Sequence, residues 1–231
     1  MSLPDLLNPL RLLVGTVLAR CHDLLVPLGA PPSVAWLLAV VALVVLVRTL
    51  LLPLAVGQAR SARRMRALAP ELRRLQERHR GRTDAASLAR EQGELYRAHG
   101  VRPLGALLPA LVQVPVFLAL VQALEQAAHG GGGAALASFA VAAVIGAPLA
   151  ASALGSAWPG ALVGIGLLVV TAAAQALTQH LAGGPPWLLA LPVVTAAAGL
   201  AFPIGVTAYW CASALWTLGQ QTVLTRLLRE A

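Results

Sequence analysis

The sequence predicts an all-α, polytopic membrane protein: a core of five spanning helices, a basic two-helix hairpin outside the bilayer, and an N-terminal helix lying in the interface. Three observations predict it. Hydrophobic residues make up 58% of the chain and charged residues only 11%, where a soluble globular domain carries about a quarter charged. A soluble fold of this composition would leave extensive apolar surface in water. Several stretches of about 18 or more residues carry no charge, long enough for a helix to cross a hydrocarbon core of roughly 30 Å. Helices fit such runs because backbone groups in lipid must bond within their own segment. Most of the positive charge sits in one block, residues 57–102, and every basic residue behind the formal net charge of +8 is arginine.

Residues 1–30 are apolar but interrupted by Arg11, Arg20, His22 and Asp23. Leu6, Leu10, Leu13, Val14, Val17, Leu18, Leu24 and Leu25 fall near a helical period, which suits an amphipathic helix in the interface. A first spanning helix and an uncleaved signal anchor are the alternatives; no small-residue cleavage site follows a basic start. Arg20 precedes Cys21 where a lipoprotein signal requires a small residue, so lipidation is not expected. Cys21 and Cys211 match no zinc or redox spacing.

Residues 34–56 form the first span, entered through Pro31-Pro32-Ser33. It is uncharged from Val34 to Val47 and then carries Arg48. Residues 57–102 change character, with Arg60, Arg63, Arg64, Arg66 and further arginines set against Glu71, Glu77, Asp84, Glu91 and Glu94. Met65, Leu68, Leu72 and Leu75 repeat at helical spacing, as do Leu88 and Leu95. Gly81 stops the first helix and Thr83 or Asp84 caps the second. The positive-inside rule places this hairpin in the cytoplasm.

Residues 103–125 form the second span, from Pro103 to Glu125. Residues 126–160 contain Gly130 to Gly133 and an apolar stretch, 134–154, broken by Gly146 and Pro148. The third span is 161–181, the fourth 187–202 and the fifth 204–225, with a tail at 226–231. If 134–154 does not cross, Arg226 and Arg229 share the cytoplasmic side with the hairpin. That parity favours an extracytoplasmic loop with an interfacial or re-entrant segment. No internal repeat points to the inverted halves of transporters.

Arg48 is the anomaly. Counted from Val34 at 1.5 Å per residue, it lies about 21 Å into a core of roughly 30 Å. An arginine at a helix centre costs about 2.5–3.5 kcal/mol to insert, less off centre. One reading is snorkelling to the headgroups. The other is a water-filled recess open to the cytoplasm, and intramembrane ionisable residues are functional candidates by default. Polar partners for such a recess stand on other spans: Gln113 on the second, Gln175 and Gln179 one turn apart on the third, Tyr209, Trp210 and Gln220 on the fifth. Each also fits a plain interhelical hydrogen bond. None of the spans encloses an acidic residue, which disfavours a proton- or sodium-coupled transporter. No nucleophile–base spacing and no metal cluster is present, so neither an enzyme nor a cofactor is expected.

In order along the chain, several blocks resemble one family. They are Val47-Arg48-Thr49-Leu50-Leu51-Leu52-Pro53-Leu54, Leu68-Ala69-Pro70-Glu71-Leu72, Val101-Arg102-Pro103-Leu104, and Leu108-Pro109 with Val112-Gln113-Val114-Pro115-Val116-Phe117. The last are Phe202-Pro203-Ile204-Gly205, Tyr209-Trp210, Leu215-Trp216 and Gly219-Gln220-Gln221. Together they resemble the YidC-type membrane protein insertases, bacterial relatives of the Oxa and Alb insertases. The resemblance implies a five-span core in the bacterial cell membrane with a hydrophilic inner-leaflet groove. Arg48 would be its single arginine, attracting the polar part of a nascent membrane protein while the client's apolar segment enters lipid. The implied partners are nascent membrane proteins, the ribosome and the Sec translocon, with anionic lipid at the hairpin and no nucleic-acid readout. The chain departs from the family in its Gly/Ala-rich 126–160, in Ala214 where Asn is common, and in Gly93. No basic tail follows Ala231, so ribosome docking through a tail is not expected. A small-solute channel or transporter and a non-inserting assembly scaffold are the alternatives.

Overall fold

A computed structural model describes residues 3–80, 85–101, 108–131, 136–183 and 186–230. The helices among them are α1 (Leu3–Leu25), α2 (Pro32–Leu50), α3 (Leu52–Arg78), α4 (Ala85–Ala98), α5 (Leu108–Ala128), α6 (Gly160–Ala182), α7 (Ala190–Gly199) and α8 (Ile204–Glu230). They fall into two compact units. One comprises residues 1–49 and 113–223, the other 50–112 and 224–231.

In the first unit, α2, α6 and residues 111–128 of α5 are long and apolar enough to cross a membrane. These three helices have the length and apolarity that a polytopic helical membrane protein requires. Its core is a single cluster that includes Val14 and Leu18 of α1, Trp36, Val40 and Leu43 of α2, Leu120 and Leu124 of α5, and Ile204, Val206 and Tyr209 of α8. Trp36 is the centre of it. Its ring stacks on His22 at 4.3 Å and meets Phe139 edge-on at 5.7 Å. Its indole N–H donates to Ser138 Oγ at 3.1 Å, so this large buried side chain leaves no donor unmet. α1 turns Val14, Leu18 and Ala19 into the core and leaves Leu12, Leu13 and Leu24 exposed. Arg11 ties it to α5 through Gln126.

Among the described residues between α5 and α6 there is no α-helix. Residues 136–158 form a 3-10 turn (Ala137–Phe139) and a two-residue antiparallel hairpin, β1 (Ala143–Val144) with β2 (Ala147–Pro148). This small piece of sheet is the departure from an all-α chain. The segment is a cap on the core: Leu136, Phe139, Ala142, Ala147 and Leu149 are buried in the cluster. Its backbone groups are bonded, Leu149 N–H to Ala142 O at 2.8 Å, Ile204 N–H to Ala151 O at 2.8 Å and Gly205 N–H to Leu149 O at 2.9 Å. Irregular backbone beside a membrane core requires such closure.

Two features of the spans differ from the simplest reading of the sequence. The fourth apolar run, 187–202, begins inside a 3-10 turn, Pro186–Leu189, and continues as the ten-residue α7. At about 2.0 Å and 1.5 Å of rise per residue these reach roughly 23 Å, short of a core of roughly 30 Å. α2 stops at Leu50, with Leu51 as a single turn residue before α3. The cause is Pro53 in the first turn of α3, which supplies no N–H to the preceding turn.

The second unit contains the hairpin. Among the described residues, Leu68 and Leu75 of α3, His79 and Val101 are its buried side chains. Arg64 Nη1 donates to Gly100 O at 3.4 Å, and His79 brings its Nε2 within 3.3 Å of Glu91 Oε1. The expected stop at Gly81, the caps at Thr83 and Asp84, and Pro103 at the start of the second span lie outside the described residues.

Candidate functional site

α6 ends at Gly183, whose left-handed conformation (φ 66°) closes the helix by N–H bonds to Gln179 O and His180 O. One turn before that end, Gln175, Thr178 and Gln179 stand at i, i+3 and i+4 and so share one face. On α8, Trp210, Ser213, Ala214 and Thr217 share a face by the same spacing. Thr195 of α7 and Arg48 of α2 complete a recess of about 330 Å³ lined by these residues. α7 approaches closely because Gly199 has no side chain. A Cβ there would lie 2.2 Å from Leu168 Cδ2 and 3.1 Å from Trp210 Cζ3.

Arg48 sits in the last turn of α2, where the helix carbonyls favour a cation. Its Nη2 donates to Ser213 Oγ at 2.6 Å. Its Nε is buried without a partner, as is Gln179 Oε1. No acidic side chain lines the recess, and Arg48 makes no ion pair among the described residues. The three threonine hydroxyls are committed to their own helices. Thr178 Oγ1 donates to Ala174 O at 2.7 Å, Thr195 Oγ1 to Leu191 O at 2.9 Å and Thr217 Oγ1 to Ser213 O at 2.8 Å. Each spends its proton on the turn before it and keeps lone pairs free. The walls are therefore neutral and rich in acceptors around one guanidinium.

Of the residues that the sequence singled out, Arg48, Gln175, Gln179 and Trp210 meet in this recess. Gln113 and Tyr209 do not line it. They hydrogen-bond each other, and Tyr209 is buried against Phe117, whose ring lies 5.8 Å away. Gln220 accepts from Trp216 Nε1 at 3.0 Å one turn back along α8. Thr178, Thr195, Ser213 and Thr217 were not singled out. For all but Thr195 a signal existed: they follow Gln175 or Trp210 at three or seven residues on the same helix.

A family model described as the 60Kd inner membrane protein matches residues 30–231. The chain belongs to this family. Proteins similar to it include the membrane protein insertase YidC of Streptomyces avermitilis, 35% identical over 228 residues, or 86% of this chain and 53% of that protein. The membrane protein insertase YidC of Tropheryma whipplei is 36% identical over 136 residues, 57% of this chain and 44% of that protein. That of Azotobacter vinelandii is 29% identical over 209 residues, 85% of this chain and 33% of that protein. The chain thus spans about half the length, or less, of these relatives. Membership in the 60Kd inner membrane protein family agrees with the ordered motifs around Arg48 and with the apolar helices. It makes the chain a multi-pass protein of the bacterial inner membrane.

Proposed function

We propose that this protein is a membrane protein insertase, a non-enzymatic chaperone that receives hydrophobic segments of nascent membrane proteins from the cytoplasm and passes them into the bilayer. The observation that carries the reading is the recess itself: one cation, Arg48, among neutral polar walls, with no acid to neutralise it. Gln175, Gln179, Trp210, Ser213 and Thr217 contact the client's polar part. Gln113, Tyr209 and Gln220 support α5 and α8 behind them. A polar or acidic segment entering the recess exchanges water for these groups and for the guanidinium. The neighbouring apolar segment of the client then buries its surface in lipid, at about 25 cal/mol per Å².

In this reading α2, α5, α6, α7 and α8 are the five spans, with α7 short and α8 polar on its recess face. α1 lies in the interface. The hairpin α3–α4 and the arginines at the end of α8 face the cytoplasm, where anionic lipid, the ribosome and the Sec translocon are the partners of a basic surface.

Single cysteines at Gln175 and Ser213, probed with membrane-impermeant reagents, test the reading. Labelling from the cytoplasmic side only is the expected result. Labelling from both sides would indicate a pore. In the same cells Arg48→Ala lowers insertion of short, few-span clients, and Arg48→Lys retains most of it.

A further inference from the structure

The cap between α5 and α6 has two apolar faces. One fills the core through Phe139, Ala147 and Leu149. The other is bare: Val141 is 84% exposed, Ile145 79% and Trp158 76%. Residues 136–158 contain no charged side chain, whereas a loop running through water is normally rich in polar residues. Ile145 sharpens the contrast. It occupies the tip of the β1–β2 hairpin at φ 53°. That left-handed conformation favours Gly, Asn or Asp and disfavours a β-branched residue. In water, neither the backbone nor the solvation of the side chain favours isoleucine at this position.

What covers the bare face follows from its neighbour. α6 begins at Gly160, two residues after Trp158, and its 23 residues reach about 34 Å. That slightly exceeds a hydrocarbon core of roughly 30 Å, so the Gly160 end reaches headgroup level. Leu162, Ile165 and Val169 are exposed along α6 and carry the apolar surface from Trp158 into the membrane. A tryptophan at the end of a spanning helix is where interfacial aromatic belts lie. We propose that the cap is seated in the bilayer interface, with Ile145, Val141 and Trp158 immersed in the lipid of the leaflet that the Gly160 end of α6 reaches. The hairpin tip is a lipid anchor, and the isoleucine is suited to the side of the boundary on which it stands. The inference requires only that α6 crosses the membrane, not that the recess handles clients.

The test uses Ile145→Cys and, separately, Val141→Cys in a chain carrying Cys21→Ala and Cys211→Ala. Each is labelled with an NBD fluorophore and reconstituted into phosphatidylethanolamine–phosphatidylglycerol vesicles. Both positions are exposed, so neither substitution disturbs the core. The expected result is blue-shifted emission, quenched by nitroxides on shallow acyl positions and not by aqueous iodide. Glu94→Cys on α4 serves as the water-exposed control and gives the reverse. Iodide quenching at positions 145 and 141 would overturn the proposal. Shielding from both quenchers would overturn it too, because a protein surface, a second copy included, would then cover the face.

Discussion

Arg48→Met separates a working charge from a structural one. Methionine keeps an unbranched apolar stem in place of the arginine stem, so packing is conserved while the charge is removed. Removing a cation from the membrane relieves up to about 2.5–3.5 kcal/mol, the insertion cost at a helix centre. Against that gain stand two losses. The bond from Nη2 to Ser213 Oγ is charge-assisted and contributes about 1.5–3 kcal/mol. The position in the last turn of α2 contributes about 0.3–1 kcal/mol through the helix dipole. The terms nearly cancel, and the expected change in stability lies within about 1–2 kcal/mol of zero. Insertion of a short client, by contrast, should fall sharply. Thermal unfolding of the purified protein in detergent gives the first quantity, and protease protection of a newly synthesised client in vesicles gives the second. A loss of stability above about 3 kcal/mol would place Arg48 among the groups that hold the fold. Normal insertion by a stable Arg48→Met protein would refute the role of the charge.

Two further outcomes follow from the packing. Gly199→Ala forces a Cβ against the buried Leu168 and against Trp210; overpacking of this kind costs about 1–3 kcal/mol, and the unfolding temperature should drop together with a change in tryptophan emission. Trp36→Ala removes the ring between His22 and Phe139 and leaves Ser138 Oγ without its donor; a loss of about 3–5 kcal/mol is expected in the same unfolding assay.

The sequence made the membrane class legible because hydropathy and charge segregation act over whole segments. Arg48 was legible for the same reason: one charge in an apolar run stands out. The break within the fourth apolar run was not. Residues 187–202 read as one uncharged run, yet their first part joins Pro186 in a 3-10 turn and only Ala190–Gly199 form an α-helix. α8 poses the opposite difficulty. It is uncharged from Ile204 to Thr225, but Thr207, Tyr209, Ser213, Thr217, Gln220 and Gln221 dilute its hydropathy. The residues that furnish the recess are among those that blur the helix as a span. Partner choice was hidden for a different reason. Gln113 and Gln179 look alike as glutamines in apolar helices, and only packing shows that one meets Tyr209 and the other faces the recess.

The neutrality of the recess walls has an electrostatic consequence. If an acid stood beside Arg48, the pair would act on a distant client as a dipole, and its field would fall off steeply. Ser213, Thr178, Thr195 and Thr217 solvate the site without cancelling its charge, because each hydroxyl is a small dipole, three of them already bonded to their own helix. An unneutralised charge acts on a carboxylate 8 Å away with about 2 kcal/mol at an effective dielectric of about 20. That exceeds thermal energy several-fold before any contact is made. A serine in place of an aspartate at position 213 therefore keeps the guanidinium in place through a 2.6 Å bond and leaves its field directed at whatever enters. Ser213→Asp should hold Arg48 more tightly and insert acidic clients less well, a combination that a purely structural arginine would not produce.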